Sequence, residues 1–168
     1  HLPAVKTRFG DHLINLWRSD IASFDPAIEA DLVAEAKRSG DYTALMASAR
    51  IEFNGETLNM PGLGKYANHG DRDLRHGASK ARENWMAEHG DTLDTIYDDL
   101  VLMRHEMARK VGYDNFVELG YQRMQRTDYN RADVARFRRQ VAAEVVPVVS
   151  ELRQLQRDRL GLDKIMAW

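Results

Sequence analysis

From Asp91 to Val111 the apolar residues Leu93, Ile96, Tyr97, Leu100, Val101, Met107, Ala108 and Val111 recur at three- and four-residue spacing. That is the period of an α-helix, and it leaves one long stripe to be covered. The charges agree with it. Asp91, Asp94, Asp98 and Asp99 stand near the start and Arg104, Arg109 and Lys110 near the end, each sign where the helix dipole favours it. Gly112 follows as a stop signal. The 168 residues contain only 4 Pro and 11 Gly, and with so little punctuation long helices are the default.

The same period predicts a helix over 71–89, with Leu74, Ala78, Ala81, Trp85 and Met86 on one side. Gly90 separates it from the next. A third long helix is expected over 131–160. Asn130 is its N-cap, and Val134, Phe137, Val141, Val145, Val148, Leu152 and Leu155 form its stripe. Pro147 lies inside it and predicts a kink. Asp25-Pro26 reads as a cap and first-turn proline opening a helix to Arg38. Shorter helices are expected over 41–50, 114–119 and 13–21.

One stretch departs from this pattern. Ile51-Glu52-Phe53-Asn54-Gly55-Glu56-Thr57-Leu58 reads as a hairpin, because Asn-Gly suits a type I′ turn with two positive φ angles. Ile51 then faces Leu58, and Glu52 faces Thr57. An isolated hairpin is marginal, so its apolar face must rest on helices. The expected fold is mostly α: a helical lobe of long packed helices with one small β-hairpin near residues 51–59. Residues 1–168 read as a single lobe with no internal boundary.

Lys+Arg (24) and Asp+Glu (26) nearly balance, which argues against a general nucleic-acid binder. With no cysteine, disulfides, thiolate catalysis and cysteine zinc sites are excluded, and a reducing compartment is allowed without being required; the location expected is cytoplasmic. No run of about 18 apolar residues exists, so no membrane-spanning helix is expected. The start, His1-Leu2-Pro3-Ala4-Val5-Lys6, lacks Met and the pattern of a signal peptide, so the chain is expected to be a segment of a longer protein.

Candidates for chemistry are few. The six histidines include no i, i+4 pair. His69 and His76 are seven apart, but the helix start at Gly70-Asp71 falls between them. His105-Glu106-Met107-Ala108-Arg109 begins like the helical zinc motif H-E-x-x-H, yet a cation stands where the second ligand belongs. No metal ligand is expected. Gly62-Leu63-Gly64-Lys65-Tyr66 lacks the spacing of a phosphate loop and reads as a turn. Asp98 and Asp99 are adjacent, so on a helix they point apart and form no acid/base pair.

The densest cluster is Tyr121-Gln122-Arg123-Met124-Gln125-Arg126-Thr127-Asp128-Tyr129, with Arg131, Arg136, Arg138 and Arg139 beyond it. Arginines among tyrosines can grip a carboxylate or phosphate. They can equally brace a helix junction by pairing with Asp114, Glu118, Asp128 or Asp133. Arg123, Arg126 and Tyr129 are the candidate substrate-binding residues. On a continuous helix they would share a face.

Several of these segments, in this order, resemble oligoendopeptidase F-like zinc metallopeptidases. They are Ile51-Glu52-Phe53-Asn54-Gly55 with Asp71-Arg72-Asp73-Leu74-Arg75, then Leu93-Asp94 with Ile96-Tyr97-Asp98 and Leu100-Val101. Ala108-Arg109-Lys110-Val111 and Gly112-Tyr113-Asp114-Asn115-Phe116-Val117-Glu118-Leu119-Gly120-Tyr121 follow, with Arg123-Met124, Arg126-Thr127-Asp128-Tyr129, Val146-Pro147 and Arg159-Leu160-Gly161-Leu162-Asp163. The resemblance runs from Ile51 to Asp163. It implies a largely helical, bowl-shaped enzyme that cuts short peptides in an enclosed channel. It also implies zinc held by the two histidines of H-E-x-x-H and a later glutamate, a motif glutamate that activates water, and downstream Tyr or His groups at the oxyanion. None of those positions maps onto this chain. The implied role is an upstream, non-catalytic segment that is inactive alone, with zinc in the full-length enzyme.

The implied partners are the rest of the peptidase and short peptides, with self-association expected through an uncovered apolar face. No nucleic acid and no membrane are expected. A free-standing helical module that binds peptides or proteins is the alternative, and an H-E-x-x-H downstream of Trp168 would separate the two.

Overall fold

The computed structural model of the chain describes residues 2–166. In order it contains α1 (Leu2–Ala22), a 3-10 turn (Pro26–Ile28), α2 (Glu29–Ala47), β1 (Ile51–Phe53) and β2 (Glu56–Leu58). There follow α3 (Met60–Leu63), a second 3-10 turn (Gly64–Tyr66), α4 (Arg72–Glu88), α5 (Gly90–Lys110) and α6 (Phe116–Arg123). Last come α7 (Arg131–Gln140), a π-helical turn (Val141–Val145) and α8 (Val146–Leu160). The fold is mostly α with one hairpin, as the periodicity requires. The chain divides into two compact units. One is Ala27–Met107, and the other takes the residues before and after it.

In the unit Ala27–Met107 the hairpin is the anchor. Asn54 (φ 52°) and Gly55 (φ 76°) supply the two positive φ angles of its turn. The register pairs Ile51 with Leu58, Glu52 with Thr57 and Phe53 with Glu56. Its apolar face lies on helix: Ala49, Ile51, Leu63, Tyr66, Ala78 and Trp85 form one buried cluster, with Phe53, Leu58, Leu74, Ala81 and Met86 packed against it. The α4 residues are those the stripe placed on one side. Asp71 caps α4 by accepting from the amides of Asp73 (2.8 Å) and Leu74 (3.4 Å). The Lys65 ammonium meets Glu56 at 2.6 Å and ties the second 3-10 turn to β2.

Two expectations change in this unit. First, α2 does not stop at Arg38 but runs unbroken through Gly40 to Ala47. One helical glycine costs about 1 kcal/mol, too little to stop a helix whose neighbours continue it, and the Arg38–Asp41 pair (3.2 Å) bridges the site. Second, Gly62–Tyr66 is not a simple turn. Asn59 accepts from the amide of Gly62 (2.8 Å) and caps a helical turn that passes into 3-10. Between α2 and α5, Arg38 pairs with Asp99 at 2.6 Å. Arg104 on α5 donates to the buried Glu35 on α2, also at 2.6 Å.

The other unit is built on α1 and α6. The α1 helix is longer than the expected 13–21 and is broken at Gly10, whose φ of 79° interrupts the helical run. Ile14 on α1 and Leu119 on α6 are buried. Asn115 caps α6 by accepting from the Val117 amide (2.9 Å), and the Tyr113 hydroxyl donates to the Ala22 carbonyl (3.2 Å). The long third helix is present as α7 and α8, but its irregularity lies in the π-helical turn just before Pro147. Proline has no amide to donate and clashes with the preceding turn, and a wider turn there relieves both problems. The α7 and α8 helices contain no buried residue.

The predicted stripe of α5 is only partly covered. Ile96, Met107 and Ala108 are buried, whereas Tyr97 and Val101 are exposed.

Candidate functional site

The cluster around Arg126 is shaped by the way α6 ends. The amides of Met124, Gln125 and Arg126 donate to the carbonyls of Gly120 (3.0 Å), Gln122 (2.8 Å) and Tyr121 (3.1 Å). This closure puts Gln125 in the left-handed region, φ 52°, where glycine is usual. The Gln125 side chain donates to Asp20 on α1 at 2.9 Å, which offsets the strained backbone and ties the turn to α1.

Because α6 stops at Arg123, the three candidate residues do not share a helix face. The structure nevertheless brings two of them together. The Arg126 guanidinium lies 4.8 Å from the Tyr121 ring centroid and 5.6 Å from that of Tyr129. The two rings meet edge to face at 6.4 Å. Arg126 is therefore held by two aromatic faces, which fixes its plane and leaves N–H edges free to donate. Arg123 turns instead to the Phe116 ring, at 5.7 Å.

The bracing alternative holds for Arg136. Arg136 pairs with Asp133, and Asp133 also accepts from the Asn130 amide (3.0 Å) while Asn130 accepts from the Asp133 amide (3.1 Å). This reciprocal capping box starts α7. The Asn130 amide first, and Arg136 second, hold the Asp133 carboxyl below its ordinary pKa. Tyr129 also lines an apolar cavity of about 350 Å3 with Asp133, Val134 and Phe137. Phe116 was not expected in the cluster, and Gln125 stood in it without a role assigned to its side chain.

His105 is half-buried on α5, while Glu106 and Arg109 are exposed. Among the described residues no group of three or more His, Asp or Glu is placed to hold a metal ion. Among the described residues no helix is long and apolar enough to cross a membrane.

The chain belongs to peptidase family M3, whose sequence pattern matches residues 65–168. It is similar to PZ peptidase A, solved with an inhibitor, at 42% identity and a TM-score of 0.89, over 96% of this chain and 29% of that one. It is also similar to a Bacillus anthracis str. Ames protein assigned as an oligoendopeptidase F, at 40% identity and a TM-score of 0.89, over 98% and 30%. A further structure assigned to oligoendopeptidase F matches at 40% identity and 0.89, over 96% and 29%. No curated protein matches the chain. The likeness is therefore to oligoendopeptidase F, and at 96–98% of this chain it reaches well before Ile51, where the motifs that carried the resemblance begin. The chain spans less than a third of each of these relatives.

Proposed function

We propose that these residues are the upstream, non-catalytic part of a zinc-dependent oligoendopeptidase that cleaves short peptides in the cytoplasm. The supporting observation is the likeness at 40–42% identity over at least 96% of this chain, set against coverage of only 29–30% of the relatives. In this reading the H-E-x-x-H motif and the zinc belong to the remainder of the enzyme. The segment walls the peptide channel, and alone it is inactive and metal-free. Arg126, held by Tyr121 and Tyr129, offers two parallel N–H groups to a peptide carboxylate, with Arg123 and Tyr129 beside the same peptide. The exposed stripe of α7 and α8 is the face that the remainder covers.

The test is to compare the protein as its gene encodes it with residues 1–168 alone, on an internally quenched peptide and by elemental analysis. Cleavage and retained zinc are expected only in the former. Cleavage by residues 1–168, or stoichiometric zinc that survives dialysis of them, would overturn the reading. If neither polypeptide cleaves peptide, a helical binding module is the better description.

A further inference from the structure

We propose that the cleft between α1 and the turn after α6 binds a compact oxyanion, a carboxylate or a phosphate, between Arg18 and Arg126. Asn15, Arg18 and Ser19 line it from α1, and Gln122, Arg126 and Thr127 from the end of α6, around a space of about 320 Å3. Positions 15, 18 and 19 share one helix face, so α1 presents them together. The two walls are tied by the Gln125–Asp20 hydrogen bond (2.9 Å), which sets the width of the cleft.

The lining is chemically one-sided. It contains two guanidinium groups, two amides and two hydroxyls, and no acidic side chain. Among the described residues neither Arg18 nor Arg126 has an ion pair. The side chains of Asn15, Ser19 and Gln122 make no hydrogen bond there either. Ser19 is only 5% exposed, so packing holds it in place on the α1 wall of the cleft. The nearby carboxylates are engaged elsewhere, Asp20 by Gln125 and Asp128 by the Thr127 hydroxyl (3.2 Å).

Two cations with a shell of unspent donors select an anion. Guanidinium edges match the spacing of two oxygens on one atom, so an oxyanion fits better than a halide. The stacking of Arg126 on Tyr121 and Tyr129 fixes its plane before any ligand arrives, which lowers the ordering cost of binding. The site shares Arg126 with the peptide-contacting trio above. It does not rest on peptide hydrolysis, because binding is read without turnover.

The experiment is isothermal titration at low salt of the protein as its gene encodes it, with inorganic phosphate, acetylglycine and acetylglycinamide as separate probes. Saturable binding of phosphate or acetylglycine is expected, weakening as salt rises, with none for the amide. Phosphate alone assigns a phosphate site, and acetylglycine over its amide assigns a carboxylate site. Arg18→Gln and Arg126→Gln should each weaken binding by about tenfold or more, the loss of one charge-assisted contact, while Arg126→Lys should fall between. Arg18 is exposed, so Arg18→Gln tests the site even where Arg126→Gln disturbs the fold, and circular dichroism checks each variant. No binding of either anion, or unchanged affinity in Arg18→Gln, would overturn the proposal.

Discussion

The α4 and α8 helices both carry apolar residues at helical spacing, but the chain treats them differently. On α4 the stripe is covered: Ala78 and Trp85 are buried against the hairpin, and Leu74, Ala81 and Met86 pack beside them. On α8 nothing is buried, and Val148, Leu152 and Leu155 are 54%, 59% and 65% exposed. Periodicity states that a face needs covering, whereas burial states which residues cover it. A helix completed by its own neighbourhood draws stability from packing. One without such cover depends on its own hydrogen bonds and caps until a partner arrives.

The largest expected effect breaks this comparison directly. Trp85→Ala removes the largest side chain of the buried cluster and should cost about 3–5 kcal/mol in denaturant unfolding. Leu152→Ala in residues 1–168 should change stability by no more than about 0.5 kcal/mol, as surface substitutions do. In the gene-encoded protein Leu152→Ala should become costly, at about 2–5 kcal/mol, where the remainder buries it. An equally mild Leu152→Ala in both polypeptides would show that nothing covers the α8 stripe.

The next effect is electrostatic and belongs to the covered region. Glu35 has a side chain 7% exposed and meets Arg104, 36% exposed, at 2.6 Å. Glu35→Ala should cost about 2–3 kcal/mol, below the range for a fully buried pair because water reaches the arginine. A Glu35/Arg104 double-mutant cycle by denaturant unfolding gives the coupling between them. A single loss under about 0.5 kcal/mol would mean that the pair is no more than a surface contact.

The features legible in the sequence were local ones. Asn54-Gly55 declared its turn because few other dipeptides accept two positive φ angles. The face of α4 was legible because its period is unbroken from Leu74 to Met86. The helix end expected at Arg38 did not hold, because the chain continues helical through Gly40, and one glycine is a weak breaker when the residues around it favour helix. Gln125 gave no warning at all, since its left-handed φ is imposed by the closure of α6 and compensated by Asp20, more than a hundred residues away. Arg126 was a candidate in the sequence and Arg18 was not, for the same reason. Cation density along the chain is visible, but the meeting of α1 with the end of α6 is a tertiary event. The continuous-helix placement of Arg123 with Arg126 failed at that same closure.

The smallest effect concerns how α7 is held. With no buried residue, α7 relies on the Asn130–Asp133 capping box and the Asp133–Arg136 pair at its start. Both use the Asp133 carboxylate as an acceptor, and together they hold its pKa below the ordinary 3.8. A carboxyl whose folded pKa is lowered stabilises fully above the unfolded value. That contribution disappears as pH falls through the folded value. Asp133→Asn keeps an acceptor for the Asn130 amide but loses the charge that Arg136 and the helix dipole favour. Its melting temperature should therefore lie slightly below that of the unmodified chain at pH 7, and the gap should close below the carboxyl's folded pKa. Carboxyl titration of Asp133 by NMR would place that midpoint. If the gap stays constant from pH 7 into the acid range, the capping geometry matters and the charge does not, and α7 is held by something other than this start.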